Sequence, residues 1–416
     1  MKEDAVEVQL RRRDAESRIG AICFKTGPPG TVGVELEWLV HDRGRPTRPL
    51  TAGRLDAALA PLAAPGALPG GSRLTREPGG QVELSSRPAA SAAACARAVA
   101  ADQEVLHTRL AHCGLAAAGL GLDPHRMPAR ILEHPRYAAM EHHFDRIGPW
   151  GRVMMRATAS VQVNVEAGDA SDTLSGYRQR WVLTHRLGPV LLAAFANSPL
   201  WRGASTGWKS TRQAVWAWTD PRRTAPAARG GDPRADWVRY ALDAGVMCVR
   251  RPEPQGWTAP DGLTFRDWLA EPGEGGSVGR PVDPQDLDYH LSTLFPPVRP
   301  RGWLELRMID AQPGHGWAVA FAVACALLDD PEAARAAYEA TEPLTAGAEL
   351  PPPELWLHAA RYGPADPVLG KAVRACLSAA ESALDGEVRR LTGDFAERYS
   401  ERGRCPADDL LEGIRP

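Results

Sequence analysis

Four segments of this chain alternate apolar and polar residues with a period of two, and the polar positions are almost all acids or amides. They are Thr31 to Val40, with Glu35 and Glu37; Gln81 to Ser85, with Gln81 and Glu83; Ala159 to Glu166, with Gln162 and Asn164; and Gly302 to Ile309, with Glu305 and Arg307. A strand places alternate side chains on one face. Paired in one antiparallel sheet, the four would line a single polar trough. A solvated sheet face produces the same alternation, but here only one arginine stands among the acids, and like charge so concentrated is costly unless a cation offsets it. Hard divalent ions such as Mg²⁺ take carboxylate and amide oxygens and leave their other positions to water and phosphate. The pattern therefore points to a site for metal-bound nucleotide.

The surrounding sequence reads as α+β. A charged helical segment fills residues 1–30 and ends in the loop Gly27 to Gly30. Leu50 to Gly71, rich in Ala, Pro and Gly, reads as a surface excursion. Residues 89–118 have helical spacing, and Ser171-Asp172 can cap a second long helix running to about Ala196. From Gly316 onward the chain is almost wholly helical. No internal repeat or linker separates these parts, so the expectation is a catalytic unit over residues 31–330 with a helical C-terminal portion, 331–416, packed on the same domain.

Several function classes drop out. Lys and Arg number 49 against 51 Asp and Glu, a formal charge of -2, which carries no basic signature for nucleic acid. The longest strongly apolar run, Trp317 to Leu328, is far short of a membrane span, and the N-terminus is too charged for a signal peptide; a soluble, cytoplasmic protein is expected. The seven cysteines are scattered without a C-x-x-C pair, so they are expected to be buried apolar residues. Gly203 to Ser210 misplaces the glycines of a phosphate loop. His142 and His143 lack the H-E-x-x-H spacing and are expected at the surface.

Thr75-Arg76-Glu77-Pro78-Gly79-Gly80-Gln81-Val82-Glu83-Leu84-Ser85 resembles the signature of the plant-type glutamate–cysteine ligases, whose fold is related to the catalytic domain of glutamine synthetase. Further segments follow in that family's order: Gly33 to Glu37, Met154 to Asn164, Ala194 to Pro199, Ser210 to Trp216 with Thr219-Asp220, Leu263 to Trp268, and His290 to Arg299 running into Trp303 to Arg307. The likeness covers residues 30–330. The segment Asp310 to Trp317 departs from the plant Gly-Gly-Pro-Trp turn. Together with the shorter N-terminus, it resembles the actinobacterial branch that makes γ-glutamylcysteine for ergothioneine biosynthesis.

The resemblance implies a glutamine-synthetase-like antiparallel catalytic sheet flanked by helices, with ATP and Mg²⁺ serving the small-molecule substrates glutamate and cysteine. ATP would phosphorylate the glutamate γ-carboxylate, and the cysteine amine would attack the acyl phosphate. On that basis Glu35, Glu37, Glu77, Glu83 and Glu305 are expected to ligate metal. Gln162, Asn164 and Arg307 are expected at the nucleotide, and Arg307, Glu83 and Glu305 at the reacting phosphoryl group. Arg212 is the candidate for the glutamate α-carboxylate, because its planar fork matches one, with Trp216, Thr158 and Met154 as pocket walls. Gly121 to Gly151 is expected to form a mobile loop over the site. The alternatives are a γ-glutamyl ligase using another amine and a catalytically silent ligand-binding homologue.

Overall fold

In β1 (Val32–Asp42) the residues Val32, Val34, Leu36 and Trp38 are each 7% exposed or less, while Glu35 and Glu37 between them are half-buried. Burying each such apolar side chain is worth roughly 1.5–3 kcal/mol, enough to fix the strand's register, because a slip of one residue would turn the glutamates into the core. The computed structural model describes residues 10–27, 29–271 and 275–413. Pro28 of the expected Gly27 to Gly30 loop and residues 1–9 of the N-terminal segment lie outside the described residues.

The strands β2 (Arg73–Arg76), β3 (Val82–Ser85), β5 (Ser160–Glu166), β8 (Val298–Pro300) and β9 (Trp303–Asp310) join β1 in the order β2-β3-β1-β5-β9-β8, and β4 (Leu115–Ala118) pairs with the distal half of β1. Every pairing in this sheet is antiparallel. β6 (Leu200–Trp201) and β7 (Ala204–Ser205) form a separate hairpin. The α+β class and the antiparallel sheet are as expected. One sheet face is covered by α3 (Ala92–His112), α6 (Tyr177–Ala194) and the helix Gly316–Asp329. Residues Trp317 to Leu328 of that last helix are all buried, and a helix apolar on every side is a core helix. No helix of the described residues is long and apolar enough to cross a membrane. The core runs from Leu10 through α1 (Arg12–Cys23) to Tyr399.

Several expectations need correction. Helix α3 stops at His112, because Gly114 takes φ +67° and turns the chain into β4, a conformation open to glycine at little cost. Ser171 does not cap a helix: its N–H and hydroxyl go to the Asp169 carboxylate within a closed loop, and α6 starts at Tyr177. The Leu50 to Gly71 excursion contains the capped helix α2 (Ala52–Leu59) and buries Leu55, Leu59, Leu62 and Leu68. Gly121 to Gly151 is only in part the expected loop: residues 121–134 carry no helix or strand, whereas α4 (Pro135–Asp145) and the start of α5 (Trp150–Ala157) form a packed wall, where a Cβ at Gly151 would stand 2.1 Å from Phe144. Of the two histidines, His142 is exposed, but His143 is partly buried, with Nε2 3.0 Å from Asp220. All seven cysteines are free thiols and all but Cys113 are buried.

Candidate active site

The uncovered face of the sheet carries the polar residues. Glu37 stands directly across from Glu83, and Glu35 across from Gln162. Like charges opposed in a sheet are destabilising, so this register needs a reason outside the fold. Glu77 joins them from the turn between β2 and β3. There Gly79 lies against the Arg156 carbonyl, where a Cβ would come within 2.0 Å, and Gly80 takes φ +89°. Glu35, Glu37, Glu77 and Glu83 line one cavity of about 350 Å³.

The hydrogen-bond partners of three of these acids are neutral. Glu37 accepts from the Ser160 N–H at 2.8 Å, the Ser160 hydroxyl and the Gln162 amide; Glu83 accepts from Thr75 and Ser85; Glu35 accepts from Asn164 at 3.4 Å. Burial, followed by the charges of Glu305 and Glu83, pushes the Glu35 carboxyl up to about 7. Burial also raises Glu37, Glu83 and, furthest, Glu77, and for Glu77 and Glu83 a neighbouring carboxylate adds to the effect. Clustered acids held above their ordinary range in a cleft are a functional signature.

Glu305 is placed differently. It is fully buried, and Arg299, across from it on β8, holds it bidentately at 2.8 and 2.8 Å. Arg307 bonds the same carboxylate and also Gln162 Oε1. Although burial opposes the charge, Arg299 and Arg307 hold this carboxyl down at about 2. Its oxygens are held by two guanidiniums and it does not line the cavity, unlike the other four acids expected to ligate metal. It anchors Arg307, which does face the cavity.

Met154, Thr158 and Trp216 form the closed end, joined by Phe295 and Met155. The Trp216 indole N–H donates to the Phe295 carbonyl at 2.7 Å and the Thr158 hydroxyl to the Met154 carbonyl at 2.6 Å, so both are fixed. Arg212 lies behind this wall. It is 1% exposed, donates to the Arg307 carbonyl at 2.9 Å, approaches Asp310 at 3.7 Å and packs 5.0 Å from the centre of the Trp216 ring. It does not line the cavity, unlike Trp216, Thr158 and Met154, the pocket walls expected beside it. Asn164 does not line the cavity; its amide donates to Glu35 and its Oδ1 accepts from Trp303 Nε1 at 2.8 Å. In the Gly203 to Ser210 segment, Lys209 pairs with Asp408, which removes the lysine a phosphate loop needs.

Among the described residues no three His, Cys, Asp or Glu groups already stand at metal-holding geometry, so the quartet is not a preformed cage. Its donors are nevertheless all carboxylate oxygen and mutually repelling, and Glu35, Glu37 and Glu83 are hydrogen-bonded only to neutral groups. That set fits Mg²⁺, which takes few protein ligands and keeps waters and substrate phosphates.

The family model described as Glutamate-cysteine ligase family 2 (GCS2) matches residues 31–414. The chain belongs to this family. Among relatives, "Glutamate--cysteine ligase EgtA" of Mycolicibacterium smegmatis is 41% identical over 417 residues, covering 99% of this chain and 93% of that protein. The protein of the same name from Mycobacterium tuberculosis is 41% identical over 404 residues, covering 94% and 88%. "Glutamate--cysteine ligase, chloroplastic" of Arabidopsis thaliana is 31% identical over 254 residues, 59% of this chain and 46% of the plant protein.

For this glutamate-cysteine ligase family member, sequence reasoning missed several contributors to the site. Besides Met155 and Phe295 in the wall, the polar residues Arg299, Arg301, Arg136 and Ser160 line the cavity. Arg136, at the start of α4, donates to the Ser292 hydroxyl and carbonyl at 3.0 Å and is thereby held at the cavity wall. Arg299 had one available signal: it lies six residues before Glu305 across the turn Arg301-Gly302, a spacing that makes the two cross-strand neighbours once the hairpin forms.

Proposed function

We propose that the protein is an ATP-dependent glutamate–cysteine ligase, acting in the cytoplasm, that joins the glutamate γ-carboxylate to the cysteine amine and supplies γ-glutamylcysteine for ergothioneine biosynthesis. The observation that carries the reading is the half-buried quartet Glu35, Glu37, Glu77 and Glu83 beside Arg307, at the mouth of a fixed apolar end wall. The 41% identity to the two mycobacterial ligases across nearly the whole chain supports it.

Joining a free carboxylate to an amine is uphill, so the γ-carboxylate must first carry a better leaving group. A γ-carboxylate oxygen attacks the terminal phosphorus of ATP and ADP leaves; the cysteine amine then attacks the γ-glutamyl carbonyl, phosphate leaves and the amine gives up its proton. Mg²⁺, held by Glu35, Glu37, Glu77 and Glu83, would supply charge neutralisation to the phosphates. Arg307, pinned by Glu305 and Gln162, meets the charge on the transferring group without having to reorganise. Met154, Met155, Trp216 and Phe295 exclude water that would hydrolyse the acyl phosphate. Arg212 and Asp310 act behind the wall, holding Trp216 and the β9 backbone in place. No cysteine of the chain takes part, since the thiol belongs to the substrate.

The test is ADP release by the purified protein with Mg²⁺, ATP and glutamate, adding cysteine, other amino acids or simple amines in turn, with products identified by mass. Cysteine-dependent formation of γ-glutamylcysteine is expected. Turnover with a different amine alone would move the acceptor, and absence of turnover with every amine would overturn the reading.

A further inference from the structure

A second cavity, of about 450 Å³, shares no lining residue with the carboxylate cavity. Two helices meet beside it at a glycine. A Cβ at Gly188 of α6 would stand 1.9 Å from the Trp356 ring, so only glycine lets that ring, carried by the helix Glu354–Tyr362, lie against α6. Trp356 lines the cavity, and so does His185, which lies one turn before Gly188 on the same helix face. His185 is 2% exposed. Its Nδ1 lies 2.8 Å from the Trp181 carbonyl. A carbonyl only accepts, so Nδ1 carries the ring proton and Nε2 is left as an acceptor. Nε2 is buried and has no hydrogen-bond partner among the described residues. Burial pushes the imidazole down to about 4, so the ring is neutral at pH 7. Residues 350–353, three of them proline, line the cavity together with Pro226 and Ala228. The lining also includes one charge of each sign, Arg229 and Glu349, both exposed and neither in an ion pair among the described residues. The Arg229 N–H donates to the Asp236 carboxylate at 2.6 Å, which fixes the loop that carries this guanidinium.

We propose that this cavity is a second binding site, separate from the catalytic one, for an amino acid whose aromatic ring bears an N–H or O–H. The ring lies against Trp356 and the prolines, its donor meets His185 Nε2, and the α-carboxylate and α-ammonium groups meet Arg229 and Glu349. A buried acceptor without a donor is costly, and a ligand N–H or O–H relieves that cost. Because the imidazole is neutral with its one proton committed, the group it receives must be a donor. Apolar walls around an indole ring suit a flat ring, and the volume is that of a small-molecule site. At the exposed edge a guanidinium fork matches a carboxylate, and the opposite charge beside it suits a zwitterion. Glutamate and cysteine have no ring, so the occupant is neither substrate. The inference goes beyond the ligase reading and does not depend on it.

The experiment is calorimetric titration of L-tryptophan, L-tyrosine and L-phenylalanine into the full-length wild-type protein and into Arg229→Ala, Glu349→Gln and His185→Phe. Each titration is run with and without saturating glutamate, Mg²⁺ and a non-hydrolysable ATP analogue to fill the catalytic cavity. Tryptophan or tyrosine is expected to bind the wild type, with an affinity that filling the catalytic cavity leaves within about twofold. Phenylalanine, which has no ring donor, binds about tenfold more weakly than tyrosine because it leaves His185 unpaired, and His185→Phe removes that preference. Arg229→Ala and Glu349→Gln each weaken tyrosine by about fivefold or more and leave kcat with glutamate and cysteine unchanged. These two side chains are exposed, so their variants decide the matter even if His185→Phe fails to fold. No binding of tryptophan or tyrosine at millimolar concentration would overturn the proposal. So would binding abolished when the catalytic cavity is filled, or rim variants that bind as tightly as the wild type. None of these results alters the ligase reading, which ADP release tests separately.

Discussion

Removing one charge from the carboxylate quartet should stabilise the protein in the absence of metal, and the gain should depend on pH. The Glu35 carboxyl is pushed from its ordinary 4.5 to about 7, first by burial and then by Glu305 and Glu83. Each tenfold change in proton affinity corresponds to about 1.4 kcal/mol, so keeping Glu35 ionised at pH 8 opposes folding by about 3 kcal/mol. The sign follows from proton counting. Between pH 4.5 and 7 the unfolded chain has lost this proton and the folded chain retains it, so stability falls as pH rises through that window. At pH 5 the opposition is about 1 kcal/mol or less by the same relation. Glu35→Gln, nearly isosteric, should therefore gain about 2–3 kcal/mol over the wild type at pH 8 and little at pH 5. Mg²⁺ binds the ionised form, so it should stabilise the wild type more at pH 8 than at pH 6, and stabilise the variant less. The assay is chemical denaturation of both proteins at pH 5, 6.5 and 8, with EDTA and with Mg²⁺. A variant no more stable than wild type at pH 8, or a gain of equal size at pH 5 and pH 8, would refute the reasoning.

Three other perturbations separate the parts of the site. Arg299→Ala leaves the fully buried Glu305 with only Arg307, and should cost about 3–5 kcal/mol in denaturant unfolding, as removal of one partner of a buried pair does; a loss under about 1 kcal/mol would show that the pair is not structural. Glu83→Gln should lower kcat about a hundredfold or more with the metal-free thermal transition kept or raised, and a rate within tenfold of wild type at saturating Mg²⁺ would remove Glu83 from the metal site. Arg212→Ala should lower stability by about 2–4 kcal/mol, because Asp310 loses its cation while keeping the Asn197 N–H and the Ser198 and Ser210 hydroxyls, and should reduce kcat more than it raises the glutamate KM. A raised glutamate KM with unchanged stability would return Arg212 to direct substrate contact.

The trough was legible because alternation is a local property. Val34-Glu35-Leu36-Glu37 displays its two faces in four letters, and β5 lies within the segment that shows it, while β1 and β9 overrun theirs by two residues and one. The strands β2, β4 and β8, of three or four residues each, show no such alternation in the sequence and are drawn into the sheet by the neighbours they pair with, β3, β1 and β9. Within the site, residue type indicated chemistry but could not indicate neighbours. Glu305 reads like Glu35, an acid on a strand face, and only the β8–β9 register places Arg299 against it. Arg212 reads as a carboxylate clamp from its fork alone, whereas packing beneath Trp216 takes it out of the cavity. In Gly121 to Gly151 the Gly, Pro and His suggest a loop, which holds for residues 121–134, while the buried Ala139, Met140 and Phe144 order α4 in the rest.

The central claim is that the γ-carboxylate is activated as a phosphate, and oxygen transfer tests it most directly. Glutamate labelled with ¹⁸O in its γ-carboxylate is turned over with ATP, Mg²⁺ and cysteine, and the released inorganic phosphate is analysed by mass. If a γ-glutamyl phosphate forms between Arg307 and the carboxylate quartet, each phosphate released carries one labelled oxygen and appears in step with γ-glutamylcysteine. Unlabelled phosphate accompanying product formation would contradict the acyl-phosphate account.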